Sequence, residues 1–159
     1  MQGNKIGIRI CMATLAFTCW SGFISLNHSS IRGINFNLPD AIGFTVLHEL
    51  CKTGKHLLIT EVLLRLSMNY CIDVNALDNE RKTAFHLACE YGQVGVVQLF
   101  IDCYSPGGRI CLEVQDEEGR TPLHLACIMR RYEVVEIMLK NSTVKKYLNL
   151  EIPDRILMD

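Results

Sequence analysis

Apolar positions fall into paired blocks along this chain. A short stripe such as Leu123, Ala126 and Cys127, at spacings of 3 and 4, covers one face of a short helix. A few residues later comes a doublet and then a second apolar cluster: Leu58-Ile59 with Val62-Leu63, Val96-Val97 with Leu99-Phe100-Ile101, and Val134-Val135 with Ile137-Met138-Leu139. Between stripe and doublet the pattern breaks near Gly54, Gly92 or Arg130. This predicts two short helices and a turn, repeated along the chain, with Glu136 and Lys140 as a weak i,i+4 surface pair on the last helix.

The polar positions keep the same beat. Asp40-x-x-Gly43-x-Thr45-Val46-Leu47-His48, Asp78-x-x-x-x-Thr83-Ala84-Phe85-His86 and Asp116-x-x-Gly119-x-Thr121-Pro122-Leu123-His124 lie 38 residues apart. Thr121 followed by Pro122 is a helix start, because the hydroxyl caps exposed N–H groups and proline fits the first helical position. The Asp-x-x-Gly segment supplies left-handed turn angles at low cost. A fixed period of this length means stacked supersecondary units, none able to bury its apolar face alone. Such arrays work by presenting an extended surface.

In these residues the chain resembles the ankyrin repeat, whose core pattern is D-x-x-G-x-T-P-L-H-x-A-A-x-x-G. The third copy is the nearest to that pattern, with Asp116, Gly119, Thr121, Pro122, Leu123, His124 and Ala126. The second has Arg81 where the turn glycine belongs; the first has Val46 for proline, and Arg130 replaces the later glycine of the third. The resemblance implies an all-α, ankyrin-type solenoid of helix–turn–helix units joined by β-turn or hairpin connections. It spans residues 35–154, with units at about 40–77, 78–115 and 116–153. The period exceeds the family's usual value of about 33 residues. The extra residues fall between each second helix and the next Asp: Arg65 to Leu77, Asp102 to Gln115 and Asn141 to Pro153.

Partial registers flank the full units. Asn35 to Asp40 aligns with Asp73 to Asp78 and with Asn149 to Asp154, so each of these looks like the tail of a unit. Residues 155–159, with Ile156-Leu157-Met158, read as a truncated tail or as a piece of a longer array. Residues 1–34 leave three alternatives. Lys5 and Arg9 precede an uncharged run from Ile10 to Ile31, as in a secretory signal or a short membrane anchor. The run is diluted by Thr14, Thr18, Ser21, Gly22, Ser25 and Asn27, which favours a degenerate capping repeat. An unrelated leader is the third.

Composition narrows the class of partner. The formal net charge of −1 argues against nucleic acid, which needs a basic face. Eight cysteines raise the question of disulfides, but Cys51, Cys89 and Cys127 recur on the 38-residue period. Equivalent positions on stacked helices lie about 8–10 Å apart, beyond the Cα reach of a disulfide, about 7 Å. They are expected as small hydrophobes on the first helices, in a reducing compartment, cytoplasmic or nuclear. Delivery to a membrane or the exterior through residues 1–31 is the alternative.

No catalytic constellation stands out. His48 with Cys51, His86 with Cys89 and His124 with Cys127 are spaced for one helix face, but they are spread one pair per unit rather than converging as zinc requires. The resemblance implies instead that each histidine ties adjacent turns. No metal, cofactor or small-molecule substrate is expected. Gly107-Gly108 lacks the pattern of a phosphate loop.

In proteins of this architecture the turn tips and the exposed side of the first helices line a concave face. Carried onto this chain, the tips are Ile42 and Phe44, then Asn79, Glu80 and Lys82, then Glu117, Glu118 and Arg120. The first-helix residues are Glu49, Lys52, Glu90, Tyr91, Met129 and Tyr132, with Phe44, Tyr91 and Tyr132 as anchors, since aromatic residues dominate interface energetics. The implied function is a non-enzymatic protein-interaction module, an adaptor or an inhibitor, of which the inhibitors of NF-κB are one kind. The alternatives are a membrane-anchored or secreted ankyrin protein, and the ankyrin segment of a larger enzyme or channel.

Overall fold

The computed structural model describes residues 35–54, 60, 72–103, 110–141 and 144–145. Five helices have both ends among these residues: α1 (Val46–Thr53), α2 (Ala84–Tyr91), α3 (Val94–Cys103), α4 (Pro122–Ile128) and α5 (Tyr132–Lys140). The leader 1–34, the tail 155–159 and the apolar blocks Leu58-Ile59 and Val62-Leu63 lie outside the described residues, as do the loop residues Ser105-Pro106-Gly107-Gly108. α3 reaches Cys103, so the lengthened stretch of the second unit begins later than its expected start at Asp102.

Each first helix starts at a threonine in extended conformation, with φ of −88°, −85° and −86° at Thr45, Thr83 and Thr121. A histidine occupies the third helical position, where a glutamate would complete the usual capping box. The threonine N–H donates to the histidine Nδ1 at 3.1 Å in all three units. In the second and third, the histidine N–H returns a bond to the threonine Oγ1 at 3.3 and 3.5 Å. Pro122 stands at the start of α4, where its missing N–H costs nothing.

The turn before each threonine is built by one aspartate. Asp40 Oδ1 accepts from the N–H groups of Ile42 and Phe44, Asp78 Oδ1 from Glu80 and Lys82, and Asp116 Oδ1 from Glu118 and Arg120. The turn needs a left-handed residue three places after the aspartate. Gly43 and Gly119 take it at φ 84° and 79°, and Arg81 takes it at φ 58° despite its side chain. Arg130 does the same at φ 54° in the turn between α4 and α5, where Gly54 and Gly92 serve the earlier units.

The helices pack in two rows. α1 lies against α2 and α2 against α4; α3 lies against α5; α2–α3 and α4–α5 are the pairs within units. The core between the rows includes Leu50, Ala88, Val97, Phe100, Val134 and Met138, all wholly buried. Phe85 and Phe100 meet at 5.0 Å between ring centroids; burying each side chain contributes roughly 2 kcal/mol. Cys51 and Cys89 are buried free thiols, as expected, and the Cys89 thiol contacts Met138 Sδ at 4.0 Å. Cys127 departs from the expectation: it is exposed.

Candidate functional site

The bonds between units repeat as faithfully as those within them. Asn79 N–H donates to the Ile42 carbonyl and Glu117 N–H to the Glu80 carbonyl, each at 3.1 Å, locking one turn tip to the next. His48 Nε2 donates to the Lys82 carbonyl, and His86 Nε2 to the Arg120 carbonyl, both at 3.2 Å. The donor is settled by the other nitrogen: Nδ1 receives the threonine N–H, so the proton sits on Nε2. Further back, Gln93 Nε2 donates to the Lys52 carbonyl and Arg131 Nε to the Glu90 carbonyl, both at 2.9 Å. On the connecting stretches, Asn37 Oδ1 accepts from Asp73 N–H and Asn75 Oδ1 from Cys111 N–H, both at 2.9 Å. His48 and His86 therefore hold adjacent turns together, as the resemblance implied, while the bonds of His124 lie within its own cap. Burial lowers the pKa of His48, and that of His86 to about 4, against the pull of the carbonyls they face.

This lattice leaves one edge of the first helices, with the tips of their turns, open for contact. On it, Phe44 stacks on His48 at 5.5 Å. The Lys52 ammonium lies over two rings, 5.3 Å from the centroid of Phe44 and 5.5 Å from that of Tyr91. In the second unit Lys82 bridges Glu80 at 2.9 Å and Glu90 at 3.0 Å. Burial alone would push the Lys82 pKa down; the bonds from Glu80 and Glu90 outweigh it and hold the pKa above the usual lysine value. In the third, Arg120 binds Asp116 at 2.8 Å and also Glu118.

The structure sorts the residues expected on this face. Ile42, Asn79, Glu80, Glu117, Tyr91 and Met129 are exposed, and Phe44, Glu49, Lys52, Glu90, Glu118 and Arg120 are half-buried. Lys82 is not an open tip residue: only 8 % exposed, it folds back onto Glu90. Tyr132 is not on a first helix. It begins α5 and is 74 % exposed beside an open recess of about 280 Å³, lined also by Gly92, Arg130 and Glu133. Met129 caps the end of α4. Sequence reasoning missed Ile128, 52 % exposed next to Met129. Its signal was available, since it falls in the register of Lys52 and Glu90. It missed Gln93 and Arg131 as well, whose shared role shows only once the helices are stacked.

Among the described residues, no group of three or more His, Cys, Asp or Glu side chains is placed to hold a metal ion. Every buried side-chain nitrogen and oxygen among them has a hydrogen-bond partner. Among them also, no helix is long and apolar enough to cross a membrane.

No curated protein matches the chain. The family model for ankyrin repeats (3 copies) does, over residues 15–107 and again over 68–149. The two matches together take in most of the sequence and every described unit. With its threonine–histidine caps, aspartate turns and two rows of helices, the chain belongs to the ankyrin-repeat family and is built as a protein–protein interaction module.

Proposed function

We propose that this protein is a non-enzymatic adaptor or inhibitor that docks a protein partner on the edge formed by its turn tips and first helices. The observation that carries this reading is the division of labour among polar side chains. The repeated Thr, His and Asp residues are consumed in caps, turns and bonds between units. Tyr91, Ile128 and Met129 stand exposed along the same edge, at 43 %, 52 % and 43 %. Large side chains held out by a rigid array are what a partner surface needs. The buried free thiols of Cys51 and Cys89 support a reducing compartment, cytoplasmic or nuclear. The family match that begins at residue 15 supports a degenerate unit within residues 1–34.

The test is affinity capture from cell extract with identification of the bound protein, repeated with Tyr91→Ala plus Ile128→Ala and, separately, with Tyr132→Ala. Loss with the first pair and retention with the second is the expected result. Undiminished capture by the Tyr91→Ala, Ile128→Ala variant rejects this face.

A further inference from the structure

The basic residues of the docking edge are not alike. Lys82 is neutralised by Glu80 and Glu90, and Arg120 by Asp116 and Glu118. Lys52 instead sits between the rings of Phe44, in its own unit, and Tyr91, in the next. Aromatic faces attract the charge of an ammonium but accept none of its N–H groups as a carboxylate would. The two rings also hold a long, flexible side chain in one place and shield one flank of it from water. We propose that Lys52, braced by Phe44 and Tyr91, is the seat for a carboxylate of the partner, so that the docking edge selects a peptide segment carrying Asp or Glu at this point.

The inference rests on the docking edge proposed above and names the chemistry that the edge selects. Charge complementarity carries it. Among the described basic residues of the edge, Lys82 and Arg120 are paired with carboxylates, whereas Lys52 and the tip residue Arg81 are not, and of those two it is Lys52 that is braced by aromatic rings. Its side chain already lies against the two rings in the free protein, so a carboxylate arriving there loses less to immobilisation than it would at an unbraced lysine. The neighbouring carboxylates Glu80 and Glu90 repel a second acidic residue placed over the middle unit, which fixes where along the edge the acidic position falls.

The experiment is selection from a phage-displayed library of random peptides against the full chain. The selected peptides are then measured by fluorescence anisotropy on the wild type and on Lys52→Met, Lys52→Glu and Tyr91→Ala. Circular dichroism melts confirm that each variant is folded. Methionine keeps the apolar stem over the rings and removes the charge. The expected result is enrichment of Asp or Glu at one peptide position, binding weakened about tenfold by Lys52→Met, and still weaker binding to Lys52→Glu. Peptides that need Tyr91 but bind Lys52→Met as well as wild type overturn the carboxylate seat and leave the docking edge standing. No enrichment, or peptides indifferent to Tyr91 and Lys52 alike, overturns both. Binding of fluorescent polyuridylate RNA through Lys52, in place of acidic peptides, also overturns the proposal.

Discussion

His48 holds the carbonyl of Lys82 through Nε2, at 3.2 Å, while its Nδ1 receives the N–H of Thr45. One imidazole thus closes the start of its own helix and grips the turn of the next unit. His86 repeats the arrangement with Thr83 and Arg120. Only the neutral ring can do both, because a second proton would turn Nδ1 from acceptor to donor in front of an N–H group.

Acid should therefore loosen the stack. In the unfolded chain His86 titrates near its ordinary value, roughly 6.5, and in the fold its pKa is about 4. Between those values the unfolded state binds more protons. The contribution is complete above the unfolded pKa and is lost as pH falls toward the folded one. Moving from about pH 7.5 to about pH 5 is expected to cost about 2 kcal/mol through His86; His48, also lowered, acts in the same direction. Urea unfolding across this range checks it, and His86→Asn should flatten the slope.

The two arginines at left-handed angles mark removable strain. A non-glycine residue there costs about 1–2 kcal/mol, partly offset by the extra freedom glycine gives the unfolded chain, about 0.4–1 kcal/mol. Arg81→Gly and Arg130→Gly should each raise stability by about 0.5–1 kcal/mol. Gly43→Ala should do the reverse: φ is 84°, and the added Cβ would lie 2.7 Å from the backbone nitrogen of Asn79. Thermal midpoints of the three variants give the comparison.

Thr83→Ala removes the acceptor of the His86 N–H and should cost about 1–2 kcal/mol. His86→Ala should cost more than His124→Ala. Both break a cap, but His86 also carries the bond to Arg120, and it is wholly buried where His124 is not. Equilibrium denaturation of the pair decides the order.

Thiol chemistry should follow burial. Burial pushes the Cys51 and Cys89 thiols far up, whereas Cys127, exposed at the surface, is raised by partial desolvation only. Alkylation mapped by peptide mass spectrometry should label Cys111 and Cys127 in the native protein, and Cys51 and Cys89 only in denaturant.

The repeating frame could be read in the sequence because its parts are local. A threonine three residues before a histidine, and an aspartate five before the threonine, need only their own turn to act. Even the exceptions were legible, since Arg81 and Arg130 stand in a register that glycine fills elsewhere. The candidate site was less so. Register places Lys82 beside Phe44 and Arg120 at the tips, but its stem is long enough to reach Glu90 across the helix, which no local pattern announces. Tyr132 was assigned to the wrong helix because the left-handed Arg130 ends α4 sooner than a run without glycine indicates. The clasp of Lys52 by Phe44 and Tyr91 joins two units, and it exists only when one is laid against the other.

Each tie between units, whether from histidine, Gln93 or Arg131, reaches only the adjacent turn. Among the described residues, accordingly, no side-chain tie reaches beyond the neighbouring unit. Pulled from one end it should peel stepwise, shedding one brick at a time, and the bricks still seated should keep their full set of clasps.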